Sequence, residues 1–165
     1  MKKNQLIILI PLLTPIILLI IGLYLQVEND MYPCPLCIFQ RYIFIFTTLI
    51  SFVIFFISEK FKNFFTLTGI FFSFIGVLLA SYHLWTKSQP NLSCGLDPLE
   101  TIVNQFFLAD LFPLLFQASG LCSTNNDQVF FLSIPMWSLI WYVFFLLIFS
   151  LFFYLNKIND NRRIN

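Results

Sequence analysis

The stretch Cys34-Pro35-Leu36-Cys37-Ile38-Phe39-Gln40-Arg41-Tyr42-Ile43-Phe44-Ile45-Phe46-Thr47-Thr48-Leu49-Ile50-Ser51-Phe52-Val53-Ile54-Phe55-Phe56-Ile57 decides how this chain folds. From Ile38 to Ile57 its only charge is Arg41. An apolar run of about 20 residues, rising about 1.5 Å per helical residue, crosses a hydrocarbon core of about 30 Å. Two cysteines stand where the run begins. Their C-x-x-C spacing serves redox exchange or metal binding and little else.

The rest of the chain repeats the apolar theme. Of 165 residues, 59% are hydrophobic and 10% charged, whereas charged residues make up about a quarter of a soluble domain. Three further stretches, 6–25, 64–85 and 134–155, are long and charge-free enough to span. With 38–57 they make four. The expectation is an all-α membrane protein: a four-transmembrane-helix bundle in a single integral domain, 1–165, with no room for a separate soluble one. The short turn Ser58 to Asn63 makes spans two and three antiparallel neighbours, and about a dozen residues keep spans one and two adjacent. The apolar run after Lys2 and Lys3 exceeds the 7 to 15 residues of a signal peptide's core, so the first span is expected to stay attached.

Basic residues orient the bundle, because cytoplasmic segments hold an excess of them. Lys2 and Lys3, Lys60 and Lys62, and Lys157, Arg162 and Arg163 mark one side. The loops at about 26–37 and 86–133 contain six carboxylates but only Lys87 as a base. Both termini are therefore expected in the cytoplasm, and all four cysteines, Cys34, Cys37, Cys94 and Cys122, on the outer face. Disulfides persist in that oxidising compartment. Four cysteines allow three pairings, and spacing does not choose among them. A net charge of +1 with no basic stripe argues against a nucleic-acid partner. Tyr24, Tyr32, Tyr42, Tyr82, Trp85, Trp137 and Trp141 fall near the outer boundary, as interfacial anchors do.

The second outer loop is long for a small bundle. From Pro98 to Gln117, Leu99, Ile102, Val103, Phe106, Phe107, Leu111 and Leu115 recur at helical spacing, opposite Glu100, Asn104 and Asp110. This predicts a short interfacial helix on the outer leaflet, interrupted or ended by Pro113. Such a helix could act as a lever that moves Cys94 and Cys122, with Gly95, Ser119 and Gly120 as hinges, or simply as a surface helix capped by its glycines.

Thiol exchange needs a thiolate, and an ordinary cysteine is mostly protonated at neutral pH. Cys37 at the start of span two meets unpaired backbone N–H groups and the positive end of the helix dipole. Arg41, four residues on, shares its face. A shallow arginine can equally snorkel to lipid phosphate; its register with the two cysteines favours the functional role. His83, the only histidine, lies at a similar depth and could donate to a quinone oxygen or serve as a structural hydrogen-bonder. Gln40 and Tyr42 are weaker candidates for the same pocket. Ile38 follows Cys37, so there is no C-x-x-C-H haem attachment, and no G-x-G-x-x-G for a flavin or nicotinamide. A membrane quinone needs only an apolar slot, a cation and a donor.

Cys34-Pro35-Leu36-Cys37-Ile38-Phe39-Gln40-Arg41, the later Cys94, Phe116-Gln117-Ala118-Ser119-Gly120-Leu121-Cys122 and Ile134-Pro135-Met136-Trp137 together resemble the bacterial disulfide-bond formation protein B family. The match runs in order over nearly the whole chain. The arginine four residues after the second cysteine makes it far more specific than C-x-x-C alone. The resemblance implies a multi-pass oxidoreductase of the bacterial inner membrane that reoxidises a periplasmic thioredoxin-fold dithiol oxidase and passes electrons to ubiquinone or menaquinone. It further implies that Cys37 engages the quinone, with Arg41 and His83 lining the head group, and that Cys34 is its resting disulfide partner. Cys94 is then the cysteine attacked by the partner protein, and Cys122 its resting mate, able to bridge transiently to Cys34.

Two other readings use the same residues. Four cysteines can ligate zinc or an iron–sulfur cluster, but such sites usually have two closely spaced pairs, and Cys94 and Cys122 are nearly thirty residues apart. Alternatively, the disulfides merely brace the outer loops of a structural membrane protein.

Overall fold

In the computed structural model of the protein, the described residues are 3–89, 98–120, 128–129 and 131–164. Their order is α1 (Lys3–Glu28), α2 (Pro35–Phe56), α3 (Glu59–Lys87), α4 (Pro98–Asn104), α5 (Phe107–Leu111), α6 (Pro113–Phe116), β1 (Gln128–Val129), β2 (Leu132–Ser133) and α7 (Ile134–Ile164). Helices α1, α2, α3 and α7 are each long and apolar enough to cross a membrane. They form the four-helix membrane bundle. Its exterior is apolar all round, with Leu13, Ile17, Phe52, Phe71 and Leu147 half exposed or more, a surface that only a lipid solvent tolerates.

Inside, Ile8, Ile43, Phe44, Ile54, Tyr142, Phe145, Phe149 and Phe152 form the main core. Lipid tails are as apolar as these side chains, so shape rather than hydrophobicity holds such helices together. Gly69 and Gly76, seven residues apart on α3, show how. A Cβ on Gly69 would stand 2.8 Å from the Phe149 ring, and one on Gly76 2.5 Å from that of Tyr142. The two glycines thus let α7 lay its aromatic rings directly on the α3 backbone. Three buried threonine and serine hydroxyls stay within their own helices: Thr47 donates to the Ile43 carbonyl at 2.9 Å, Ser51 to Thr47 at 2.8 Å and Thr66 to Lys62 at 2.7 Å.

The connections fix the end of the bundle that carries the cysteines. Helix α1 closes with Asp30 in the left-handed region at φ 48° and the Met31 N–H donating to the Gln26 carbonyl at 2.9 Å, the geometry of a Schellman stop. Cys34 is the extended N-cap of α2 and Pro35 its first residue, where no N–H is needed. At the other end Ile57 and Ser58 alone turn the chain, tighter than the Ser58 to Asn63 turn expected, because Glu59 and Lys60 already belong to α3.

The predicted interfacial helix is present as three short ones. Asn104 ends α4 by turning its amide onto the Ala118 backbone, donating at 2.9 Å and accepting at 2.8 Å. Phe112, before Pro113, is kept out of the helical region at φ −132°, ψ 70°, which separates α5 from α6. One side of this segment is buried: Val103, Ala109, Phe116 and Ala118 cluster with Ile38 of α2. The other leaves Phe107, Leu111, Phe112 and Leu114 exposed. A two-residue ladder pairs Gln128 with Ser133 and Val129 with Leu132, too short for any strand pattern to register in sequence. Trp137, read as an interfacial anchor, donates its indole N–H to the Val129 carbonyl at 3.0 Å.

Candidate active site

The first turn of α2 sets two sulfurs side by side. Cys34 caps the helix and Cys37 sits on its third residue, and the Ile38 N–H donating to the Cys34 carbonyl at 3.2 Å closes the turn between them. No disulfide joins the two. Cys34 donates its S–H to Cys37 Sγ at 3.3 Å. Cys34 is buried and Cys37 half-buried. The hydrogen bond to Cys37 first, then burial and the charge of the Cys37 sulfur, push the Cys34 thiol well up from its ordinary range. Cys37 is the more accessible of the two sulfurs.

His83 reaches this pair from α3. Its ring is buried, with Nε2 3.6 Å from Cys34 Sγ and Nδ1 3.2 Å from Gln40 Nε2. Gln40 is buried too. It is one turn past the cysteines on α2, and its carbonyl accepts from the Tyr142 hydroxyl of α7 at 2.7 Å. Thr86 caps the His83 carbonyl at 2.8 Å. Three of the long helices thus hold one imidazole beside one sulfur.

Arg41 is spent differently from the expectation of a cation simply facing a head group. Its guanidinium donates to Gln26 Oε1 of α1 at 2.6 Å, to the Leu115 carbonyl of α6 at 2.8 Å and, at a marginal 3.5 Å, to that of Leu114. Gln26 completes the loop by donating to the Leu114 carbonyl at 3.0 Å. The fork geometry of arginine lets one side chain tie α1, α2 and the α6 segment together. Its charge still acts on both sulfurs.

The two loops are also joined through backbone. Pro33, just before the dithiol, accepts from the N–H groups of Ser119 at 3.1 Å and Gly120 at 3.2 Å. A Cβ on Gly120 would collide with the Tyr32 carbonyl, so this glycine is a point of close approach. Ser119 and Gly120 are anchors here, not the hinges the sequence suggested: their N–H groups are committed to the first loop. Gly95 lies outside the described residues. So do Cys94 and Cys122. Of the predicted site residues, the structure brings Cys34, Cys37 and His83 together and sets Arg41 in an adjoining network. Gln26, Tyr142 and Asn104 went unread, since each acts through a backbone partner 14 to 102 residues away or, for Gln26, through Arg41.

Fold and site define a polytopic membrane protein with a vicinal dithiol at the mouth of its second span. Residues 4–152 match the family model of disulfide bond formation protein DsbB, and the chain belongs to that family. Disulfide bond formation protein B of Herminiimonas arsenicoxydans is 39% identical over 143 residues, covering 87% of this chain and 90% of the relative. The protein of the same name from Cupriavidus pinatubonensis is 40% identical over 120 residues, 73% and 74% of the two chains. Disulfide bond formation protein B 1 of Pseudomonas entomophila is 36% identical over 149 residues, 88% and 89%.

Proposed function

We propose that this protein is a quinone-dependent thiol oxidase that reoxidises a periplasmic thioredoxin-fold dithiol oxidase and so supports disulfide bond formation. One observation carries the reading. The sulfurs of Cys34 and Cys37 stand 3.3 Å apart at the start of a membrane span, with the imidazole of His83 3.6 Å from Cys34. Membership of the disulfide bond formation family supports the same chemistry.

Each turnover converts the partner's dithiol to a disulfide and delivers two electrons and two protons. In this reading Cys94 and Cys122 receive them, and closing Cys34–Cys37 passes them on. These two roles rest on the family resemblance and on the anchoring to Pro33 of Ser119 and of Gly120, the latter two residues before Cys122 in sequence. A membrane quinone, ubiquinone or menaquinone, supplies when bound an acceptor for both electrons and both protons. The residues present fit one. The Tyr42 hydroxyl is buried with no hydrogen-bond partner among the described residues. Its ring lies 4.9 Å from that of Phe116 and 6.3 Å from that of Phe106, an apolar wall with a donor to spare. Cys37, Arg41 and His83, with Tyr42, would hold the head group.

His83 has a second task at the dithiol. Before the disulfide can close, Cys34 must lose its proton, and Nε2 is the base beside it. Gln40 can present either its NH2 or its carbonyl to Nδ1, so it supports both neutral tautomers. The distribution of Lys and Arg supports an inner-membrane orientation with cytoplasmic termini and periplasmic cysteines.

Anaerobic mixing of the purified protein with a quinone and a reduced thioredoxin-fold dithiol tests the reading. Steady loss of oxidised-quinone absorbance is expected, and running ubiquinone and menaquinone analogues side by side identifies the acceptor. A quinone that stays oxidised overturns the assignment, and reduction of an oxidised partner by quinol alone reverses its direction.

A further inference from the structure

We propose that the reduced Cys34–Cys37 pair and His83 form a three-ligand site for a zinc-class divalent cation, which withholds the dithiol from exchange while the metal is bound. One sulfur from each cysteine and one ring nitrogen of His83 all lie within 4.8 Å of one another. The sulfurs are 3.3 Å apart, and Nε2 is 3.6 Å from Cys34. Tetrahedral zinc, with bonds of about 2.3 Å to sulfur and about 2.0 Å to nitrogen, separates its ligand atoms by about 3.5 to 3.8 Å. Two of the three separations are thus within about half an ångström of a coordination shell, and the third, Cys37 to His83, needs at most about an ångström of closure from its 4.8 Å bound.

The donor set selects the cation. Two sulfurs and an imidazole suit borderline-soft zinc and disfavour magnesium or calcium, which prefer oxygen. Charge balance favours burial as well. Two thiols lose their protons to solvent, the two thiolates neutralise the dication, and no electrons move. A neutral site avoids the cost of an uncompensated ion at this buried position. Among the described residues the cluster has three such ligands, and half-buried Cys37 is its side of access.

Gln40 completes the second layer. When Nε2 ligates metal, His83 holds its proton on Nδ1, and the Gln40 amide, turned over, accepts it through Oε1 at the same contact. Metal occupancy and the Cys34–Cys37 disulfide are mutually exclusive, because they use the same sulfur electrons. The site thus responds to redox state without needing Cys94 or Cys122, unlike a four-cysteine centre.

The test uses the full chain carrying Cys94→Ser and Cys122→Ser, purified in detergent, reduced without oxygen and titrated with Co2+ and then Zn2+. One Co2+ per chain is expected, with a near-ultraviolet sulfur-to-cobalt band and the visible absorption of four-coordinate cobalt, displaced by Zn2+. The oxidised form of the same protein should bind none, which serves as a control on folding. Adding Gln40→Leu should weaken binding about 10- to 100-fold, and His83→Ala at least as much. Cobalt binding no greater than that of the variant also lacking Cys34 and Cys37 overturns the proposal, as does an unchanged affinity and spectrum after His83→Ala. Occupancy is read without partner or quinone, so its failure leaves the oxidase reading standing, and the reverse holds too.

Discussion

The middle of the bundle and its dithiol end are held together by different means. In the middle, Gly69 and Gly76 of α3 receive the rings of Phe149 and Tyr142, and the buried hydroxyls of Thr47, Ser51 and Thr66 look back into their own helices. At the dithiol end, contacts between elements are directional: Arg41 to Gln26 and Leu115, Asn104 to Ala118, Tyr142 to Gln40, Pro33 to Ser119 and Gly120. Shape complementarity tolerates small sliding, whereas hydrogen bonds fix atoms to within a few tenths of an ångström. Redox chemistry between two sulfurs needs the second kind of precision. The difference therefore separates substitutions that stop turnover from those that loosen the bundle.

Cys37→Ser should mark the extreme of that separation. Quinone reduction by reduced partner is expected to fall to background while the melting temperature in detergent stays near that of the parent, because serine fills nearly the same volume in the first turn of α2. Residual turnover above background would mean that another sulfur delivers the electrons.

A pair of glycine variants sharpens the contrast. Gly76→Val puts a branched side chain where even a Cβ lies 2.5 Å from the Tyr142 ring, and overpacking of this kind costs about 1–3 kcal/mol. Melting should drop accordingly, with activity lost only in proportion to unfolded protein. Gly120→Ala should do the reverse. Its methyl meets the Tyr32 backbone, so the two loops must part, and turnover should fall several-fold at nearly unchanged melting temperature. If both variants lose stability and activity in the same ratio, the two regions are one cooperative unit.

Much of the middle was legible in sequence because a membrane span is a long signal with little competition. The stretch 134–155 has no charge, and the helix found there runs Ile134–Ile164. The cysteine motif, Arg41 and His83 were legible because their residue types are costly near a membrane and therefore stand out. The partners were not. Nothing in the order of residues says that Gln26 accepts from Arg41, or that Tyr142 reaches the Gln40 carbonyl 102 residues away. Nor does helical periodicity over Pro98–Gln117 reveal that Asn104 abandons its helix for Ala118. Such bonds depend on how helices are juxtaposed, which periodicity does not encode. Gly120 misled for a related reason: glycine signals freedom in sequence and here supplies close approach.

Arg41→Lys isolates the directional end at smaller amplitude. A lysine keeps the charge but has no fork to reach Gln26 and the Leu115 carbonyl together. Hydrogen bonds to charged groups contribute about 1.5–3 kcal/mol, so apparent quinone affinity should weaken about tenfold or more and proteolysis of the 98–120 segment should quicken. Arg41→Ala should be worse on both counts. Unchanged turnover and affinity in Arg41→Ala would remove this residue from the site.

The smallest expected effect concerns protons. The folded reduced protein holds the Cys34 proton more tightly than an unfolded chain does, since its thiol is pushed up by the Cys37 hydrogen bond and by burial. That contribution to stability is fully present below the ordinary thiol pKa of about 8.5 and is lost as pH rises through the higher folded value. The oxidised protein has no such proton to lose. Raising the pH from neutral into the alkaline range should therefore lower the melting temperature of the reduced form relative to the oxidised one. Over the same range, alkylation followed by mass spectrometry should label Cys37 first and Cys34 only at the alkaline end. Parallel melting curves, or equal labelling of the two sulfurs at neutral pH, would mean that the proton is not held at Cys34 and that the dithiol end lacks the asymmetry on which its chemistry depends.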